Sequence, residues 1–236
     1  MKSAPVPHAA PTHRKVVDAF TRSLHALMAM SFAGAYLTSD ADALRLVHVT
    51  CGYTLAGVFM IRVLWGLFGP RRVRLWPLAT RWAGASQAVA LVRQRDVPAL
   101  VKQGLALSMV MLLLCTLPVV ASGYLSYFEV LGEWTEDLHE SMANLMLTAA
   151  LGHVAMVMLL AWILPGRQIR PMLSGRLPGQ GPHLVQHNLG ALALALVLGV
   201  AGFWGWQAWQ YTVDPEFRHP PRWLHPVGGP RLHDDD

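Results

Sequence analysis

Charge is scarce in this chain. Only 14% of its 236 residues are Asp, Glu, Lys or Arg, whereas 53% are apolar. A soluble domain of this length needs a more charged surface, so the composition points to an integral membrane protein. The mean hydropathy of +0.35 agrees. Cysteine is scarcer still, and Cys51 and Cys115 both lie inside apolar runs. Two such residues exclude a disulfide framework, a CxxC redox or metal pair and the CxxCH signature of covalent haem attachment. They are expected to be small packing residues. The net charge of +5 is confined to particular loops, which argues against nucleic acid as a partner.

Long apolar runs are what the chain does have. Five are long enough to cross a hydrocarbon core of about 30 Å as helices: roughly Val16–Leu37, Ala43–Phe68, Gly104–Phe128, Leu138–Leu164 and Asn188–Tyr211. The first includes "AGA" at Ala33–Ala35, which resembles a cleavage site, but its apolar part is too long for a signal core. A retained anchor is expected.

The loops alternate in charge. The N-terminal arm carries Lys2, Arg14 and Lys15, and the second loop carries Arg71, Arg72, Arg74, Arg81, Arg93, Arg95 and Lys102. The fourth, "GRQIRPMLSGRLPGQGPH", is also basic, whereas "TSDAD" and "EVLGEWTED" are acidic. The positive-inside rule therefore places the N-terminus in the cytoplasm and the C-terminus outside. Within the second loop, "SQAVALVRQRDVPALVKQG" suggests an interfacial amphipathic segment. The expected organisation is a cytoplasmic arm over 1–15, a four-helix core over 16–164 and a cytoplasmic linker over 165–187. A fifth transmembrane helix over 188–211 and a Pro- and His-rich periplasmic tail over 212–236 follow.

Seven of the eleven histidines fall in arms and loops and read as solvated polar residues. His25, His48, His139 and His153 fall inside the apolar runs. An ionisable side chain in the bilayer normally faces the bundle interior and has a partner. His139 and His153 stand fourteen residues apart, which is about four turns and roughly 21 Å of helix. Both therefore face nearly the same way, one toward each membrane surface. His48 lies near the outer end of its run and His25 toward the inner end of its own. Depth thus sorts the four into His48 with His139 and His25 with His153.

Two histidine pairs stacked across a bundle fit two bis-histidine b haems, since each iron takes one imidazole from either side. Zinc is a weaker reading, because two ligands leave its tetrahedral shell open. A proton relay or transporter is the competitor from another class. Gly52, Gly34, Gly57 and Gly123 are candidates for letting a porphyrin plane approach the backbone; small-residue helix packing is the alternative. Arg62 follows His48 by fourteen residues and is a candidate partner for an inner haem propionate, or it snorkels to the interface. Met28, Met30, Met142, Met146, Met156 and Met158 read as packing filler rather than axial ligands.

The stretches "RSLHALMAMSFAGAYLT", "LRLVHVTCGYTLAGVFMIRVLWGLFGPRR", "SGYLSY" and "DLHESMANLMLTAALGHVAMVM" resemble the bacterial cytochrome b(561) and nickel–iron hydrogenase b-subunit family. The resemblance covers roughly residues 17–176. It implies an all-α membrane protein whose four-helix bundle holds two haem b groups. The axial ligands it implies are His25, His48, His139 and His153, acting between ubiquinone or menaquinone and a redox partner. The chain departs from the family at Ala26, where Trp is frequent, and at "VPALVKQGLAL", where a "GHNPAG"-like turn is frequent. Its fifth apolar run lies beyond the family core, and Trp204, Trp206, Trp209 and Tyr211 there look like an aromatic belt.

The expected function is a diheme electron carrier of the bacterial inner membrane. It would link quinone or quinol to a periplasmic redox protein such as a cytochrome c, with membrane lipid as its surroundings and a homodimer left open. The alternative within the family is a superoxide oxidase, an enzyme in its own right. That needs a cationic route to the outer site, whereas Asp40, Asp42, Glu129, Glu133, Glu136 and Asp137 make the outer loops acidic and leave Arg45 as the nearby cation. Acidic loops suit a basic docking partner.

Overall fold

The computed structural model describes residues 13–70, 74–75, 93–128, 130–132, 134–164, 170–179, 182–185 and 187–213. Five long helices account for most of them: α1 (Ala19–Leu37), α2 (Arg45–Phe68), α3 (Val97–Tyr127), α4 (Trp134–Ile163) and, after the short α5 (Arg170–Ser174), α6 (Gly190–Val213). Four are long and apolar enough to cross a membrane, namely Asp42–Phe68, Val97–Tyr127, Trp134–Ile163 and Gly190–Val213. The chain is thus a helical, multi-pass membrane protein. α1 is not among the four, because Arg22 and His25 dilute its apolar content.

Helix ends follow local chemistry. Asp18 caps α1, its carboxylate accepting from Thr21 N at 2.7 Å and from the Thr21 hydroxyl at 2.9 Å; such a cap contributes about 1 kcal/mol. α3 begins seven residues before the expected Gly104, at Val97, because Asp96 caps it and Pro98 occupies its first turn. The second half of the expected interfacial segment is therefore the start of α3, and residues 76–92 lie outside the described residues. α4 also starts early, at Trp134, with Glu136 and Asp137 in its first turn, where the helix dipole favours acids.

The helices associate as two hairpins, α1 with α2 and α3 with α4, joined through α2 and α3. Leu55, Cys115, Val119 and Met146 form one buried cluster between α2, α3 and α4. A second, Phe20, Leu24, Leu27, Val58 and Ala193, fixes α6 on the outside of α1 and α2. Phe20, Leu24, Leu27 and Ser31 recur at three- and four-residue steps, so one stripe of α1 faces this junction. Trp204 of α6 donates its indole N–H to Thr54 of α2 at 2.8 Å. Cys51 and Cys115 are buried free thiols.

Outside the bundle, β1 (His13–Lys15) pairs antiparallel with β2 (Arg176–Pro178). The sequence reading leaves both segments irregular. Gly175 at φ +72° and Gly179 at φ +119° bracket β2 with left-handed turns that let the chain fold back. The tail from Asp214 lies outside the described residues, as do His8, His219, His225 and His233.

Candidate functional site

The four membrane histidines come together two by two across the seam between the hairpins. His48 of α2 and His139 of α4 have ring centroids 6.1 Å apart, with planes at 84°. His25 of α1 and His153 of α4 have centroids 6.5 Å apart, with planes at 44°. Neither pair lies in a packed core: His25 is exposed and the other three are half-buried.

Three of the four rings are held through Nδ1. His48 Nδ1–H donates to Ala35 O of α1 at 2.8 Å. His139 Nδ1–H donates to Val119 O of α3 at 3.0 Å, with Ser122 Oγ a more distant acceptor at 3.4 Å. The Ser122 hydroxyl is already committed to Pro118 O at 2.6 Å, so its oxygen can only accept. His153 is held the same way, because Ser108 donates to Leu105 O at 2.8 Å and accepts from His153 Nδ1 at 3.1 Å. A ring that donates from Nδ1 presents Nε2 with its lone pair free to ligate a metal.

These are the dimensions of an axial imidazole pair. Metal–imidazole bonds are about 2.0 Å and a ring centre stands roughly 1.1 Å behind its nitrogen, so two axial rings have centroids about 6.2 Å apart. The mutual rotation of the planes is free in such a pair. Among the described residues no three His, Cys, Asp or Glu side chains converge. Each site therefore offers two nitrogens and no third ligand, which suits an iron whose other four bonds come from a porphyrin and leaves zinc incomplete.

The glycines divide. A Cβ on Gly52, one turn after His48, would meet nothing within 4 Å, so there is open space beside α2 there; Gly57 is equally open but lies on the opposite face of α2, away from His48. Gly123 makes room for an imidazole rather than for a porphyrin plane, since a Cβ there would stand 2.7 Å from His139 Cε1. Gly34 serves helix packing, with Cys51 Sγ 2.8 Å from where its Cβ would be. Arg62 is half-buried and folds along α2 toward its C-terminal end, 2.8 Å from the position of a Cβ on Gly66.

Sequence reasoning passed over Ser108 and Ser122. Both lie on α3, fourteen residues apart, the same interval that separates His139 from His153 on the antiparallel α4. That shared interval was the available signal. The carbonyls of Ala35 and Val119 had none, because a backbone acceptor leaves no trace in residue identity.

A family model described as prokaryotic cytochrome b561 matches residues 16–175. Neither curated proteins nor solved structures gave a match.

Proposed function

The chain belongs to the prokaryotic cytochrome b561 family, as a membrane b-type cytochrome of electron transfer, and from that premise we propose that it carries electrons between the quinone pool and a periplasmic redox protein. The observation that carries the reading is the spacing of the two imidazole pairs, 6.1 and 6.5 Å between centroids.

His48 and His139 hold one haem b near the outer surface, and His25 and His153 hold a second near the inner surface. Bound haem supplies reversible one-electron chemistry of the iron. The chain supplies the rest. Its Nδ1 hydrogen bonds fix the rings of His48, His139 and His153 and raise the basicity of their ligating nitrogens. Its apolar helices exclude water from the interior, and Arg62 is the cation assigned to an inner propionate.

α1 crosses the membrane with the other four long helices, because it pairs with α2 along its length and carries an inner ligand. The basic arm and the basic second and fourth loops support a cytoplasmic N-terminus and a periplasmic C-terminus in a bacterial inner membrane. Asp40, Asp42, Glu136 and Asp137 are exposed at the His48–His139 end. They form an acidic face suited to a basic partner such as a cytochrome c. Arg45, the cation on which a superoxide-oxidising role would depend, lies over the Tyr127 ring at 5.7 Å, which favours the docking reading.

Anaerobic mixing tests the proposal. Purified protein treated with a short-chain quinol is expected to show the α-band of reduced haem b, which then fades on addition of a basic cytochrome c. A protein that quinol leaves oxidised would refute the quinone link.

A further inference from the structure

At the end of the bundle where α1 and α6 begin, the described residues line a partly open polar cavity of about 130 Å³. Lys15, Arg22, Ser174, Gly175, Arg176 and Asn188 line it, so three of its side chains are cations and none is a carboxylate.

The local fold explains the convergence. Pairing of β1 with β2 sets Lys15 opposite Arg176. Gly175, in the left-handed region, turns its carbonyl to accept from Val16 N at 2.8 Å and Val17 N at 3.3 Å. Any Cβ at that position would stand 2.6 Å from Val17 O, so glycine holds the wall close to α1. Asn188 is brought in by its own carbonyl, which accepts from Ala19 N at 2.9 Å. Arg22, in the first turn of α1, donates Nη1–H to Leu173 O at 2.7 Å. Its Nε–H is buried and has no acceptor among the described residues. The nearest carboxylate in sequence, Asp18, is engaged by Thr21.

Three clustered cations and a buried donor without an acceptor call for an anion. An unmade hydrogen bond of this kind is costly, and a guanidinium meets phosphate oxygens in paired geometry. The volume is well above the ~10–15 Å³ that one water needs. We infer that this cavity binds a net-anionic phosphate group. Two sources share that chemistry: the headgroup of an anionic phospholipid and free phosphate. Basic pockets among membrane helices on the cytoplasmic side take such headgroups. The inference does not depend on what the histidines bind.

The test uses the full haem-loaded chain in neutral detergent. Thermal unfolding is followed during titration with short-chain phosphatidylglycerol, short-chain phosphatidylcholine or inorganic phosphate. Phosphatidylglycerol is expected to stabilise the protein and zwitterionic phosphatidylcholine to do so far less. Arg176→Gln should weaken phosphatidylglycerol binding about fivefold, the effect of one cation at a lipid surface, and Lys15→Gln should act similarly. Both side chains are exposed, so both variants should keep the wild-type Soret band. Arg176→Lys should restore most of the affinity. Inorganic phosphate stabilising as well as phosphatidylglycerol would support the site and identify a soluble ligand. Phosphatidylglycerol acting alone would support it and identify a lipid. Stabilisation by neither, or unchanged phosphatidylglycerol binding in both glutamine variants, would overturn the inference.

Discussion

The proposed outer pair, His48 with His139, and the proposed inner pair, His25 with His153, share one plan and differ in how tightly the chain holds them. At the outer pair both Nδ1 atoms donate to backbone carbonyls, His48 to Ala35 at 2.8 Å and His139 to Val119 at 3.0 Å. At the inner pair His153 donates to the Ser108 hydroxyl at 3.1 Å, and no partner for His25 Nδ1 is observed among the described residues. Carbonyls belong to the helices themselves, so the outer rings are positioned by the packing of α1 on α2 and of α3 on α4. Of the inner rings, His153 depends on a side chain. A backbone carbonyl also draws the Nδ1 proton more strongly than a hydroxyl oxygen does, and a more basic imidazole favours ferric iron. By this lever alone, the outer haem should have the lower potential.

Replacing a ligand breaks the comparison most severely. His139→Ala or His48→Ala should remove the outer haem and leave one of two, read from the haem-to-protein ratio. His153→Ala should remove only the inner one. Loss of both haems in each variant would mean that the two sites do not form separately.

Gly123→Ala should act almost as strongly, because the new methyl enters the space of the His139 ring. The outer haem is expected to be lost or high-spin by absorption spectroscopy. Gly34→Ala is the matched control. Its methyl meets the Cys51 side chain instead, costing about 1–3 kcal/mol of stability by overpacking while both haems remain.

Ser108→Ala should sharpen the comparison without breaking it. Both haems should stay bound, and the inner potential should rise by roughly 40 mV, the one-electron equivalent of a hydrogen bond worth about 1 kcal/mol. Redox titration should show the outer potential unmoved. The smallest effect is expected at the periphery. Trp204→Phe removes the hydrogen bond from α6 to Thr54, lowering stability by about 1 kcal/mol with both potentials unchanged.

The two regions were also unequally legible in the sequence. Depth along each apolar run was enough to match His48 with His139 and His25 with His153, because helix rise is constant and consecutive runs alternate in direction. The hydroxyl support was half-legible, since Ser108 and Ser122 repeat the fourteen-residue interval, but many membrane serines merely donate to their own helix, as Ser122 does to Pro118. The carbonyl support was not legible at all. Gly123 shows the same limit: its lack of a side chain could be read, whereas the neighbour that requires the lack could not. Hydropathy placed the helices but missed the start of α3, where Lys102 and Gln103 interrupt the apolar run although Asp96 and Pro98 mark the cap. The β1–β2 pairing escaped because strands of three residues show no alternation and their partners lie far apart in the chain.

The central claim is that each pair of facing imidazoles holds one haem iron between its two Nε2 atoms. A quantitative haem determination on the purified full-length protein, combined with low-temperature electron paramagnetic resonance of its oxidised form, tests this most directly. Two non-covalent b haems per chain, giving two distinct low-spin ferric signals, is the predicted result. A chain with one haem or none, or with a high-spin iron at either site, would contradict it.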